Sequence, residues 1–312
     1  MTYPLRDQIA RATVHRNKAM LRLRRLFVGR LPLGARSVTI RPPGQEPVQL
    51  SGLAAGDPFI FGQLARGEPF EPHVLITLGQ LIVPGATVLD VGANLGWFSL
   101  YMSRQTGPCG NVIAIEPGPD NLLLLRHNLR ANGARNVRVV AAAAGAARGP
   151  AWLRISNENA GDHRITRRPD GARTVRIKAV TLDELAVPPG PVVVKMDVQG
   201  AEPFVLDGAA ALLARNDVRL VTEFWPFGLV DCGTSPAALI DALVRHFQRF
   251  WVLFQDQLPY EVTPAKLLKM ADAGLAPATQ MFTDVVCLRA ADTEGISRME
   301  AAGDWYKHTG EF

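Results

Sequence analysis

Apolar runs of strand length alternate with helical segments along most of this chain, and that alternation leaves few folds open. ATVLDV (86–91), NVIAI (111–115), NVRVV (136–140), PVVVKMD (191–197), DVRLVTEF (217–224), RFWVLF (249–254) and TDVVCLR (283–289) read as strands. Helices are expected near 71–83, 95–104, 119–132, 201–214 and 235–246, with Asp120 capping the third and Ser235 the last. Near-continuous apolar runs belong to strands covered on both faces, so the expected fold is α/β, a doubly wound and mostly parallel sheet.

Around this pattern the chain divides into a main domain at 71–290, an appendage at 1–70 and a tail or helix at 291–312. An insert at 151–180 carries two strand-like pieces, AWLRIS and TVRIKAV, and the alanines at 141–144 read as a strand end. SVTIRPPGQEPVQL (38–50) reads as a short hairpin bending at Pro42, Pro43 and Gly44. Leu5, Ile9, Ala12, Met20, Leu23 and Phe27 keep rough helical spacing among arginines, which predicts one or two basic amphipathic helices over 4–28. Such a helix packs its apolar stripe on the core, or lies on an anionic membrane surface or a polyanionic partner.

Charge is concentrated in that leader. Residues 1–30 hold eight basic side chains against Asp7 alone, so the remaining chain sits near −2 although the total is +5. The body is therefore not a general nucleic-acid binder. No apolar stretch approaches the roughly 18 residues of a spanning helix, and the start has no apolar signal core. Cys109, Cys232 and Cys287 form no CxxC pair, which excludes a zinc ribbon or a disulfide framework and points to the cytoplasm.

The richest local signal is Val88-Leu89-Asp90-Val91-Gly92-Ala93-Asn94-Leu95-Gly96, a buried strand ending in an acid and a Gly-rich turn that opens a helix. In a doubly wound sheet this turn lies at the carboxyl edge, where ligands bind. A pyrophosphate-binding turn needs Gly-x-Gly-x-x-Gly, but Asn94 and Trp97 stand at its second and third glycine positions, and Asp90 would repel phosphate. S-adenosylmethionine carries a sulfonium and no phosphate, so an acid suits it, while Gly92 and Gly96 let backbone pass close. Glu116 closes the second strand, where a carboxylate accepts hydrogen bonds from ribose hydroxyls.

Lys195-Met196-Asp197-Val198-Gln199-Gly200-Ala201-Glu202 puts a lysine and an acid on the fourth strand tip, at the same edge. Asp197 can orient a hydroxyl, act as general base or help hold a divalent cation. The Asn/Asp-Pro-Pro-aromatic run of amino-directed base methyltransferases is absent here, which argues against nucleobase N-methylation. Glu223, in TEFWP, joins this edge from the fifth strand.

LDVGANLGWFSL, IAIEP, SNENAGDHRI, VTLDEL, VVVKMDVQGAEPFVLDGA and LVTEF, in that order over about 75–255, closely resemble the FkbM-type methyltransferases. The resemblance implies a class I methyltransferase (Rossmann-like) fold with a seven-stranded sheet whose last strand is antiparallel. It also implies S-adenosyl-L-methionine as donor, S-adenosyl-L-homocysteine as product, and O-methylation, often of a sugar or natural-product hydroxyl. By motif match, Asp90, Gly92, Asn94, Gly96, Glu116 and Pro117 would bind the donor, and Asp197, Gly200 and Glu202 would form the second signature. Asn157, Asn159, Asp162 and His163 of the insert would lie near the active site, with Asn159 and Asp162 on the donor. Gln199 departs from the family, which commonly has glutamate there, so an acid–base or metal role of that glutamate does not carry over.

Asp197, His163 and Lys195 are the expected catalytic residues. Asp197 or His163 would take the hydroxyl proton, His163 because an unperturbed imidazole titrates at about 6.5, and Lys195 would steady developing negative charge. Two rival readings keep the fold: an RNA methyltransferase with the basic leader as an arm, and a non-catalytic cofactor-binding scaffold docked at a membrane. The sequence leaves open the acceptor, the oligomeric state and metal dependence, for which Asp197, Glu202 and Glu223 are the available carboxylates.

Overall fold

The structure, a computed structural model, describes residue 31 and residues 34–301 apart from 54–56, 157–158, 167, 170–172, 256 and 275–280. The basic helices expected at 4–28, Asn157 and the end of the tail lie outside these residues.

In chain order the first elements are β1 (Arg36–Ile40), β2 (Val48–Gly52), α1 (Ile60–Ala65), α2 (Pro72–Leu81), β3 (Thr87–Val91), α3 (Trp97–Thr106), β4 (Asn111–Ile115), α4 (Pro119–Ala131) and β5 (Val137–Val140). The insert follows as β6 (Ala143–Ala144), β7 (Gly149–Arg154), β8 (Arg164–Thr166) and β9 (Thr174–Val180). The chain then returns through β10 (Val192–Met196), α5 (Glu202–Asp207), α6 (Ala210–Leu213), β11 (Val218–Phe224), α7 (Pro226–Asp231), α8 (Pro236–Val244), β12 (Arg249–Leu253), β13 (Tyr260–Val262), α9 (Pro264–Gly274), β14 (Thr283–Leu288) and α10 (Thr293–Glu300).

The main sheet runs β13-β12-β14-β11-β10-β3-β4-β5. From β11 to β5 the pairs are parallel, and β14 is antiparallel to both β11 and β12, as expected of the class I methyltransferase fold. The sheet has eight strands, not seven, because β13 adds an antiparallel edge to β12. Its three residues stand between Pro259 and Pro264 and are mostly exposed, so no apolar run marks them in the sequence. Val88, Val193, Val221 and Val286 pack with α2, α3 and α4 on one face; Leu89, Val192, Val194 and Leu220 pack with α5, α6, α8 and α9 on the other. This is the period-2 alternation of a sheet covered twice, and each fully buried Val or Leu contributes about 1.5–3 kcal/mol.

Smaller differences have local causes. Ser235 caps α8, its Oγ accepting from the Ala238 N–H at 3.1 Å. Asp120 does not cap α4, because Pro119 takes the first helical position and Gly118 the cap; Asp120 remains in the first turn, where a carboxylate still favours the helix dipole. The helix expected over 201–214 is broken into α5 and α6 around Gly208. The alanine run starts a second sheet, ordered β6-β9-β7-β8, that carries the insert over the carboxyl edge of the first. The β1–β2 hairpin is pinned by Asn128 of α4 and by Asn132 just past its end, which accept from the Ser51 and Gln49 N–H groups at 2.8 and 2.9 Å. No helix among the described residues is long and apolar enough to cross a membrane.

Candidate active site

A cleft of about 800 Å³ opens at the carboxyl ends of β3, β4, β10 and β11, walled by the insert, the start of α1 and α2, and the approach to β14. It has two halves, one on each side of the β3–β10 contact.

The first half is built on the turn after β3. Gly92 and Ala93 donate their N–H groups to the Ile115 carbonyl at 3.0 Å, which folds the turn onto β4. Gly92 has a φ of 90°, and a Cβ there would stand 1.8 Å from the Asp197 carbonyl oxygen, so only glycine fits. Glu116 follows β4 and is 4% exposed. One carboxylate oxygen accepts from the Asn94 N–H at 2.8 Å and the other from the Gly118 N–H at 2.6 Å. Burial pushes Glu116 up to about 7 despite those bonds. His163 lies against Gly118, its Cδ2 3.0 Å from where a Cβ would be, and its Nδ1 accepts from the Ser156 N–H at 3.3 Å. Burial lowers its pKa, so the ring is neutral near pH 7. Asn121 donates to the Ala160 carbonyl at 3.0 Å and ties the insert to α4 above this pocket.

S-adenosylmethionine fits this half. Glu116 has lone pairs left for ribose hydroxyls, and the Asn94 side-chain oxygen is enclosed without a hydrogen-bond partner beside the turn.

The second half follows from the pleat of the sheet. Asp90 pairs in register with Lys195, Lys195 with Val221, and Glu223 with Asp284. Side chains two apart share a face, so these charged groups and Asp197 continue the apolar face under α2 and α3 to its edge. The buried Lys195 Nζ lies 3.3 Å from Asp197 Oδ2 and 4.4 Å above the Phe98 ring. Burial alone would lower the Lys195 pKa, but Asp197, Asp90, Glu71 and Asp284 outweigh it and raise it, so the ammonium stays charged. Gln199 donates its amide to Asp197 Oδ1 at 2.7 Å and to Glu223 Oε2 at 3.3 Å. Burial and neighbouring carboxylates hold Glu71, Glu223 and Asp284 above the usual carboxylate range. His73 Nε2 lies 3.9 Å from Asp284 Oδ2.

Gly92, Asn94, Glu116, Pro117, Asn159, Asp162, His163, Lys195 and Asp197 all line the cleft. Asp90 and Gly96 stand behind its wall. Asp90 is fully buried, with Oδ2 accepting from Ser99 at 2.5 Å and Oδ1 without a partner, and Gly96 backs onto Leu125. Asn159 Oδ1 accepts from Gly161, and Asp162 is held by Arg164 at 2.5 Å. Glu202 turns inward to accept from the Val198 and Gly200 N–H groups at 3.1 and 3.3 Å, fixing the loop that carries Gln199. Sequence reasoning missed Glu71, His73 and Asp284. The one available signal was an acid inside the apolar run TDVVCL. Among the described residues, no three His, Cys, Asp or Glu side chains are disposed to hold a metal ion.

The chain matches the Methyltransferase FkbM domain family over residues 90–250. It is 30% identical over 86 residues to the arsenite methyltransferase of Halobacterium salinarum, a stretch covering 28% of this chain and 17% of that protein. It is 34% identical over 71 residues to the protein-L-isoaspartate O-methyltransferase of Methanococcoides burtonii, covering 22% and 35%. The matches thus span about a third or less of these curated relatives. A solved FkbM methyltransferase from Methylobacillus flagellatus superposes with a TM-score of 0.43 at 19% identity, over 68% of this chain and 47% of that one. The precorrin-6y C5,15-methyltransferase of Geobacter metallireducens does so with 0.40 at 15% identity, over 70% and 88%.

Proposed function

The chain belongs to the FkbM methyltransferase family, whose methyl donor is S-adenosylmethionine, and we propose that it methylates a hydroxyl group of a small molecule. The observation that carries this reading is the Lys195–Asp197–Gln199 tip, which sets a hydrogen-bonded carboxylate in the same cleft as the donor turn, with the Asp197 backbone against Gly92.

When bound, the donor supplies an electrophilic methyl group on a sulfonium, so the protein's tasks are alignment, exclusion of water and acceptance of one proton. Gly92, Asn94 and Glu116 would hold the donor, with His163 packed on Gly118 in the same half of the cleft. Asp197 accepts the hydrogen bond of the acceptor hydroxyl and takes its proton as the carbon–oxygen bond forms. A carboxylate is basic enough, because the proton becomes strongly acidic as oxygen gains the methyl group. Lys195 holds Asp197 in place through the 3.3 Å contact of its Nζ with Oδ2. His163 belongs to the donor pocket, since its Nδ1 is engaged by the Ser156 N–H and its edge faces Gly118.

The cleft lining offers a polyanionic acceptor such as RNA two cations, Arg164 and Lys195, and both are already paired with carboxylates, which disfavours such an acceptor. Phe59, Phe70, Phe98, Trp225, Phe254 and Phe282 supply apolar walls for an acceptor with a carbon skeleton. The test is incubation with S-adenosylmethionine and a panel of hydroxylated small molecules and their matched amines. A methyl ether product supports the reading; methylation of amines alone overturns it.

A further inference from the structure

Gln199 stands between two carboxylates, and its amide takes no proton in the mechanism above. Its backbone is left-handed at φ 57°, a region that straight-chain residues rarely occupy. Gly200 follows at φ 97°, pressed against the Gly228 carbonyl, where a Cβ would stand 2.1 Å from the oxygen. The two positive-φ residues turn the loop back over the β10 and β11 tips, and Glu202 fastens it from beneath. The result aims the Gln199 amide into the gap between Asp197 and Glu223, at 2.7 and 3.3 Å.

We infer that Gln199 is a positioning residue: its amide clamps Asp197 and Glu223 apart, so that Asp197 points its free lone pairs at the acceptor without a shared proton or a bridging cation. An amide NH₂ is suited to this place because it has two donors and no charge to titrate. A carboxylate there would put a third acid against the other two, and such a group must capture a proton or a cation to remain. Facing Asp197 from the neighbouring elements are Lys195 on its own strand, Glu223 from β11, Asp284 from β14, Glu71 before α2, Asp90 from β3 and Glu202 from α5. Lys195 is the only cation among them, and it already lies against Asp197. Among the described residues, the Gln199 amide is the donor that reaches the Glu223 carboxylate.

The inference rests on Asp197 being the proton acceptor, and three variants separate the two claims. Gln199→Gly suits the left-handed backbone and should keep or raise the melting temperature. With the amide gone, kcat should fall at least about tenfold while the KM for S-adenosylmethionine stays within about twofold. Gln199→Glu should move the acid limb of the kcat–pH profile upward by about one unit or more, with activity recovering at higher pH. Asp197→Asn checks the underlying reading. If Asp197→Asn is inactive while Gln199→Gly and Gln199→Glu keep wild-type kcat and pH profile, the clamp is overturned and Asp197 stands. If Asp197→Asn is fully active, both fall together.

Discussion

The Asp197 carbonyl oxygen occupies the space a side chain on Gly92 would need, 1.8 Å from the Cβ position. The turn after β3 and the tip of β10 are therefore in backbone contact, so on the proposed reading main chain would set the spacing between the donor turn and the proton acceptor. Gly92→Ala meets both a backbone clash and a φ of 90°. We expect a loss of at least about 2 kcal/mol in stability, measured by urea unfolding, and loss of S-adenosylhomocysteine binding by the fraction that still folds.

Glu116 predicts a pH dependence of donor binding. Its folded pKa of about 7 lies above the ordinary glutamate value of 4.5. The folded chain thus keeps a proton that the unfolded chain has released, and stability falls as pH rises across that window. Ribose hydroxyls donate to the ionised form, so donor binding should expel the proton. S-adenosylhomocysteine affinity should weaken about tenfold from pH 8 to pH 6, with nearly one proton released per site at pH 6 in buffers of differing ionisation enthalpy. Glu116→Gln should bind more weakly at pH 8 and lose the pH dependence.

The sheet and its ligand edge were legible in the sequence because they rest on local patterns. Apolar runs gave β3, β4, β10, β11, β12 and β14, and a strand ending in Asp-Val-Gly-Ala-Asn marked the turn. The acid cluster was not legible. Glu71 and Asp284 are 213 positions apart and meet only because β14 inserts antiparallel between β11 and β12, beneath the start of α2. The motif match puts Asp90 on the donor. Strand alternation instead turns it inward toward Ser99 and Lys195, where it helps keep the lysine charged.

Asp284 carries a second pH-linked cost. Burial raises its pKa, and the Lys195 ammonium only partly offsets this. The folded state therefore favours the protonated acid, and its contribution is lost as pH rises through the folded value. Asp284→Asn should raise the unfolding free energy at pH 8 by on the order of 1 kcal/mol, and the difference should vanish near pH 5. A variant less stable than wild type at pH 8 would show that the His73 contact at 3.9 Å outweighs burial.

His163 distinguishes the donor pocket from the proton acceptor. Packed on Gly118, it should affect the donor more than the chemistry. His163→Ala is expected to raise the KM for S-adenosylmethionine about tenfold, with kcat reduced less than threefold and the acid limb of the kcat profile unmoved. A kcat loss of a hundredfold with unchanged KM would return the general-base role to His163.

Asp197→Asn offers the most direct measurement, with S-adenosylhomocysteine affinity by calorimetry and O-methyl ether formation by NMR determined on one preparation. Donor affinity within about threefold of wild type, together with a kcat lowered at least about a hundredfold, is the predicted result. Unimpaired ether formation by Asp197→Asn, or a product methylated on nitrogen or carbon, would contradict hydroxyl methylation with Asp197 as proton acceptor.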